Sequence, residues 1–185
     1  MILYIQSDAS YLSRSRGRSV AGGIHYLGNK DASYQINGAI HTLSSIIPVV
    51  VASAAEVEYA GLFLNAQQGE WERLVLNALG YTQPPTLIMG DNSTATGIAN
   101  DTCKIKRTKS IDMRFHWVRD RIRQGHFLVA WREGVNNLAD FFTKPLPTAV
   151  HQSLMPLLMR VPVRPTCGRT RPAAARRFPL SGTPV

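Results

Sequence analysis

Cysteine is almost absent. Cys103 and Cys167 are too few for a disulfide framework and lack the spacing of a zinc site. The five histidines, His25, His41, His116, His126 and His151, form no paired ligand motif. A metal site in this chain must therefore be built from carboxylates, which favours Mg2+ or Mn2+ over zinc. Long hydrophobic runs are missing too. The longest, Ile46 to Ala55, contains Pro48 and falls far short of the roughly 20 residues of a membrane span. The first residues, Ile2-Leu3-Tyr4-Ile5, follow Met1 without a basic segment or a small-residue cleavage site, so a soluble, intracellular protein with no membrane partner is expected.

Negative charge is scarce as well: 12 acidic residues face 21 basic ones, a net charge of +9. Six of the arginines (Arg160, Arg164, Arg169, Arg171, Arg176, Arg177) lie beyond residue 159 with no acidic residue, leaving 9 − 6 = +3 for the rest. A basic body of this kind fits a polyanionic partner without requiring one. An apolar fraction of 44% is enough for a core and excludes wholesale disorder. The expected division is one folded domain over 1–159 and a disordered Pro/Arg/Ala-rich tail over 160–185.

Leu3 to Ser7 reads as a strand ending at Asp8, and Ser13 to Ser19 as a hairpin loop. Val20 to Leu27 and Ser33 to Ile40 read as two further strands joined at Gly28-Asn29-Lys30-Asp31. The period then turns helical: Ala55, Tyr59, Leu62, Phe63 and Ala66, continued by Trp71, Leu74, Val75 and Ala78 up to Gly80, with Gly69 suggesting a break between two helices. Thr86 to Met89 forms a fourth strand, and Asn92 to Asn100 a short helix. Ser110 to Arg123 is a helix with an Ile111, Phe115, Val118, Ile122 stripe, and Phe127 to Trp131 a fifth strand. Asn136 to Phe142 begins a last helix, interrupted by Pro145 and Pro147 and resuming over Val150 to Met159. Three meandering strands followed by alternating helices and strands predict an α/β fold with one mixed five-stranded sheet flanked by helices.

Asp8 and Asp91 follow strands, Asp140 opens a helix, and Glu58 lies in the first helix near Glu56. Each alone reads more readily as a turn, a cap or a solvated side chain. Gathered on one rim of a sheet, four such carboxylates would need cations to offset their repulsion, as in a two-metal phosphodiesterase.

Five segments in chain order resemble the copia-type ribonuclease H domain of retrotransposon pol polyproteins. They are Tyr4-Ile5-Gln6-Ser7-Asp8-Ala9-Ser10, Ser53-Ala54-Ala55-Glu56-Val57-Glu58-Tyr59, Asp91-Asn92-Ser93-Thr94-Ala95, Lys109 to Arg119, and Asn137-Leu138-Ala139-Asp140-Phe141-Phe142-Thr143-Lys144-Pro145-Leu146-Pro147. The resemblance implies a ribonuclease H-like fold. It also implies an endonuclease that hydrolyses the RNA strand of RNA–DNA hybrids with two Mg2+, or Mn2+ in their place, leaving 5′-phosphates.

By position it makes Asp8, Glu58, Asp91 and Asp140 both the metal-binding and the catalytic set. Glu58 is preferred to Glu56, since residues two apart lie about 200° apart around a helix and only one can face the site. Asn92 and Ser93 become substrate-bonding neighbours or helix caps, and His116 a packed histidine. Lys104, Lys106, Arg107, Lys109 and Arg114 form the expected phosphate-contacting surface, continued by Arg119, Arg121 and Arg123, or else a solvated face.

The family places this domain after reverse transcriptase, so that domain is an expected partner and the chain a segment of a polyprotein or a truncated open reading frame. Two departures stand out. The loop Arg132 to Asn136 lacks the histidine of cellular ribonucleases H, with Glu133 as a possible substitute, and Gly90 before Asp91 could loosen its strand end. The rival readings are a catalytically inactive hybrid- or RNA-binding module derived from a mobile element, and an integrase or resolvase of the same fold group acting on DNA.

Overall fold

A computed structural model describes residues 1–29, 36, 38–48, 51–102 and 112–159. The strands are β1 (Ile2–Arg14), β2 (Arg18–Gly28), β3 (Ala39–Ile46), β4 (Thr86–Gly90) and β5 (Phe127–Trp131). The helices are α1 (Ala54–Ala78), α2 (Ser93–Ala99), α3 (Asp112–Arg123), α4 (Asp140–Thr143) and α5 (Thr148–Leu158). They build one mixed sheet in the order β3-β2-β1-β4-β5, antiparallel through β3, β2 and β1 and parallel through β1, β4 and β5.

Alternation along the central strand assigns the two faces. Leu3, Ile5 and Ala9 point into the core beneath α1, with Val57, Tyr59, Leu62, Ile88, Val118 and Phe127. Tyr4 belongs to the opposite face, where Ile24, Tyr26, Met89 and Leu138 meet Phe141, Phe142 and Leu158. By the same parity Asp8 faces α4.

Five expectations are corrected. β1 does not stop at Ser7 but runs to Arg14, so Asp8 lies within the strand, opposite Gly22. The hairpin turn shrinks to Ser15–Gly17. The third strand is Ala39–Ile46 rather than Ser33 to Ile40, most of which lies outside the described residues. Gly69 does not break the helix: α1 is continuous over 25 residues, and a Cβ at Gly69 would stand 2.6 Å from Ile5 Cδ1, so the glycine permits close approach to the sheet. Around Asp140 the chain divides into a Gly134–Asn136 turn, α4 and α5 instead of one interrupted helix. The first residues of the expected Ser110 to Arg123 helix, and all of 160–185, lie outside the described residues.

A buried polar network fixes α1 over β1 and β2. The Asn65 amide donates to Ser7 Oγ (3.0 Å), Gly22 O (3.0 Å) and Gly61 O (2.9 Å), and its Oδ1 faces His25 Nε2 at 3.0 Å. His25, fully buried, meets Glu72 Oε2 through Nδ1 at 2.6 Å. The network has room only because residue 23 is glycine: a Cβ there would lie 1.7 Å from Asn65 Oδ1. Gly23→Ala must displace a buried amide and break its bonds, and is expected to cost about 3 kcal/mol in urea unfolding. A loss below about 0.5 kcal/mol would show that Asn65 does not hold the helix in this way.

Candidate active site

Parallel pairing sets the end of β4 beside the middle of β1. Gln6 pairs with Met89, and two residues further on come Asp8 and Asp91. The third acid arrives from the opposite face, on a segment sewn to β1. Asn137 Nδ2 donates to Ser7 O (2.9 Å), and the Leu138 N–H donates to Gln6 Oε1 (2.7 Å). Asp140 follows at the start of α4. Carboxylate oxygens of Asp8, Asp91 and Asp140 consequently lie within 4.8 Å of one another.

Glu58 comes from α1, and its environment registers both the Asp8 and Asp91 charges. Glu56 is occupied elsewhere: its N–H donates to the Ser53 cap oxygen (3.3 Å), and its own Oε2 accepts from Ala52 N–H (2.8 Å). This reciprocal pair starts the helix and leaves Glu58 on the sheet side. Gly61, one turn on, brings α1 against β1; a Cβ there would meet Asp8 O at 3.2 Å.

The electrostatics are those of a crowded anionic pocket. Burial pushes the Asp8 carboxyl up to about 7, and contact with Asp140 adds to the rise, against a lowering hydrogen bond from Thr143 Oγ1. Glu58 is pushed up to about 9 by burial and by the charges of Asp8 and Asp91, despite a hydrogen bond with the Ala9 backbone. Asp91 is raised by burial and by Asp140. Like charges in a half-desolvated site cannot all ionise without a cation.

Sequence reasoning missed two neighbours of these acids. Thr143 is buried with its hydroxyl on Asp8. Lys144 Nζ sits 2.7 Å from Asp140 Oδ1 and 3.8 Å from Asp8 Oδ2. A signal was present in the spacing: Asp140 and Lys144 stand four apart, in reach of each other on one helical turn.

The site fits divalent ions on its own chemistry. Three carboxylates converge, a fourth is close, and Asp8 Oδ1 is buried with no hydrogen-bond partner. Hard oxygen donors of this kind suit Mg2+ or Mn2+.

The other expected residues fall in different places. Asn92 caps α2, its Oδ1 accepting from Ala95 N–H at 3.0 Å, while also lining a small cavity with Ser7, Glu58 and Gly90. Ser93 is the exposed first residue of α2. Arg114 lies with its guanidinium 5.6 Å from the Phe63 ring centroid, joining α3 to α1. Lys104, Lys106, Arg107 and Lys109 lie outside the described residues. His116 is exposed rather than packed, and Glu133 is exposed beside the site. Gly90 does not loosen its strand end: it pairs with Trp131, its carbonyl accepts from Arg132 N–H (2.8 Å), and Trp131 Nε1 donates to Asp91 O (2.8 Å). Gly134 closes in on the site, since a Cβ there would be 3.0 Å from Asp91 Oδ2.

Comparison with known proteins finds relatives of this chain and of its fold. The chain is 29% identical over 110 residues to the retrovirus-related Pol polyprotein from transposon TNT 1-94 of Nicotiana tabacum, covering 60% of this chain and 8% of that protein. It is 28% identical over 168 residues to the corresponding polyprotein from transposon RE2 of Arabidopsis thaliana, covering 90% of this chain and 11% of that one. The chain thus spans about a tenth of the length of the curated relatives it matches. No family model matches.

Among solved structures, the N-terminal RNase H domain of a Mycobacterium tuberculosis protein superposes with a TM-score of 0.54 at 16% identity, covering 77% of this chain and 96% of that one. LC11-RNase H1 in complex with RNA/DNA hybrid gives 0.54 at 12%, covering 76% and 93%. The fold is ribonuclease H-like, and the homologues are retrovirus-related Pol polyproteins of copia-type transposons.

Proposed function

We propose that this chain hydrolyses the RNA strand of RNA–DNA hybrids. The observation that carries the reading is the convergence of Asp8, Asp91 and Asp140 where the end of β4 lies beside the middle of β1, on a ribonuclease H-like fold. Asp8, Glu58, Asp91 and Asp140 would hold two Mg2+, or Mn2+ in their place. Such a pair, when bound, supplies positive charge to the scissile phosphate and lowers the pKa of an attacking water.

The chain's own residues prepare the site for that chemistry. Thr143 fixes the Asp8 carboxylate by a hydrogen bond, leaving the buried Oδ1 free to ligate. The Asn137 and Gln6 contacts hold the Asp140 segment against β1, and Trp131 and Gly134 hold Asp91 from the other side. In-line attack of water on the RNA phosphodiester breaks the bond to the 3′ oxygen and leaves a 5′-phosphate. Choice of the RNA strand would rest on its 2′-hydroxyl, which DNA lacks, with Asn92, the cap of α2, and Ser93, its first residue, as the hydrogen-bonding neighbours. Backbone contact falls to Arg114 and to Lys104, Lys106, Arg107 and Lys109, in proportion to the phosphates they neutralise.

A reverse transcriptase domain of the same polyprotein is the partner that the Pol relatives suggest, and an intracellular location goes with it. Among the described residues no helix is long and apolar enough to cross a membrane.

The test is cleavage of a labelled RNA–DNA hybrid with Mg2+ or Mn2+, against double-stranded DNA and double-stranded RNA. Cutting confined to the RNA of the hybrid and stopped by chelator is expected. Binding of hybrid by folded protein without cutting under either metal would replace the nuclease with an inactive binding module, and cutting of the DNA duplex would favour an integrase-like activity.

A further inference from the structure

Lys144 stands at the acidic pocket, and the proposed chemistry leaves it without a task. Its ammonium lies 2.7 Å from Asp140 Oδ1 and 3.8 Å from Asp8 Oδ2, so it bridges the acid of α4 and the buried acid of β1. The pocket also registers its charge at Asp91 and Glu58. Its own side chain is 45% exposed, at the mouth of the pocket, whereas Asp8 is 1% exposed. The arrangement is a cation on a flexible four-carbon stem, hydrogen-bonded to a carboxylate oxygen of Asp140 and close to the Thr143-bonded oxygen of Asp8.

We propose that Lys144 is an internal counter-ion, which neutralises the Asp8–Asp140 pair while the site is empty and must leave it when metal is taken up. This rests on the metal-dependent reading above. The physical argument is exclusion. An ammonium hydrogen-bonded to Asp140 occupies lone pairs that an incoming divalent ion needs, and two cations sharing one carboxylate repel each other. Half-exposed, the lysine can withdraw to water by rotation of its stem alone, leaving the backbone of α4 in place. Because the ammonium stabilises the empty site and opposes the loaded one, its removal has opposite effects on the two states. A lysine that merely packed against α4 would affect both alike.

The experiment compares wild type, Lys144→Met and Lys144→Arg by calorimetric titration with Mg2+ alone and by thermal unfolding in chelator. Lys144→Met keeps most of the stem and removes the charge; it is expected to bind Mg2+ about tenfold more tightly and to unfold at lower temperature in chelator. Lys144→Arg retains a cation and should restore both values towards wild type. Uptake of Mg2+ by wild type with unchanged or weaker binding in Lys144→Met would overturn the counter-ion and leave the metal-dependent reading standing. No uptake by any of the three would overturn both.

Discussion

Asp91→Asn is expected to reduce hybrid cleavage by a factor of about 10³ while making the metal-free protein more stable. The two effects have one cause. Asp91 is held among Asp8, Asp140 and Glu58, and burial together with the Asp140 charge already raises its pKa. Asparagine has the same shape, so the Trp131 bond to the residue 91 carbonyl and the Gly134 approach survive. What disappears is one negative charge, which an empty pocket gains from and a loaded one cannot spare. Because Asp91 is only half-buried, the gain is modest, about 1 kcal/mol, or about 2–4 °C in Tm for a domain of this size. A residue serving only as a turn would behave otherwise: its loss would leave cleavage intact or lower stability in chelator. Either result would remove Asp91 from the site.

Some of this pocket was legible in the sequence and some was not, for identifiable reasons. Asp91 could be placed because Pro84-Pro85 and Gly90 bracket a short apolar run, and such a run ends at the rim of a sheet. Asp140 was read as opening a helix, but its assignment to the site came from the resemblance, since α4 is four residues long and carries no period. The end of β1 was misread because its last residues, Tyr11 to Arg14, are exposed and without alternation, so they look like a loop although Arg14 pairs with Arg18 beyond an irregular stretch. β3 was displaced for a related reason: Ile40 and Ile46 are both exposed on it, so its apolar residues do not mark its buried face. Gly69 looked like a break because a helix interior disfavours glycine, yet the side chain it lacks would strike Ile5 across the α1–sheet interface. Thr143 was missed because its hydroxyl meets Asp8 across 135 residues of chain, a contact no local pattern contains; the approach of Lys144 to Asp8 is equally non-local, although its spacing from Asp140 is a local signal.

The remaining large effect concerns pH. Without metal, the folded protein should lose stability steadily as pH rises from about 5 to about 9, the reverse of ordinary acid denaturation. The sign follows from the direction of the shifts. Asp8 is pushed up to about 7 from 3.8 and Glu58 to about 9 from 4.5, both chiefly by burial. Between those limits the folded state binds protons that the unfolded state has released, so each group contributes stability fully present below its unfolded pKa and lost as pH climbs through its folded one. Shifts of this kind in two buried carboxyls correspond to several kcal/mol in total, a large part of a domain's whole stability. Divalent cation should cancel the trend, since it replaces the protons as the charge that lets the acids coexist, and at about 100 times its Kd it adds about 2.7 kcal/mol. Uptake of Mg2+ at pH 6 must then expel protons, visible as a dependence of the calorimetric heat on the ionisation enthalpy of the buffer. Glu58→Gln should flatten the upper part of the metal-free profile, because its proton is the last to leave. Metal-free stability that is level or rises between pH 5 and pH 9, measured by urea unfolding in chelator, would mean that Asp8 and Glu58 do not share one desolvated pocket with Asp91 and Asp140.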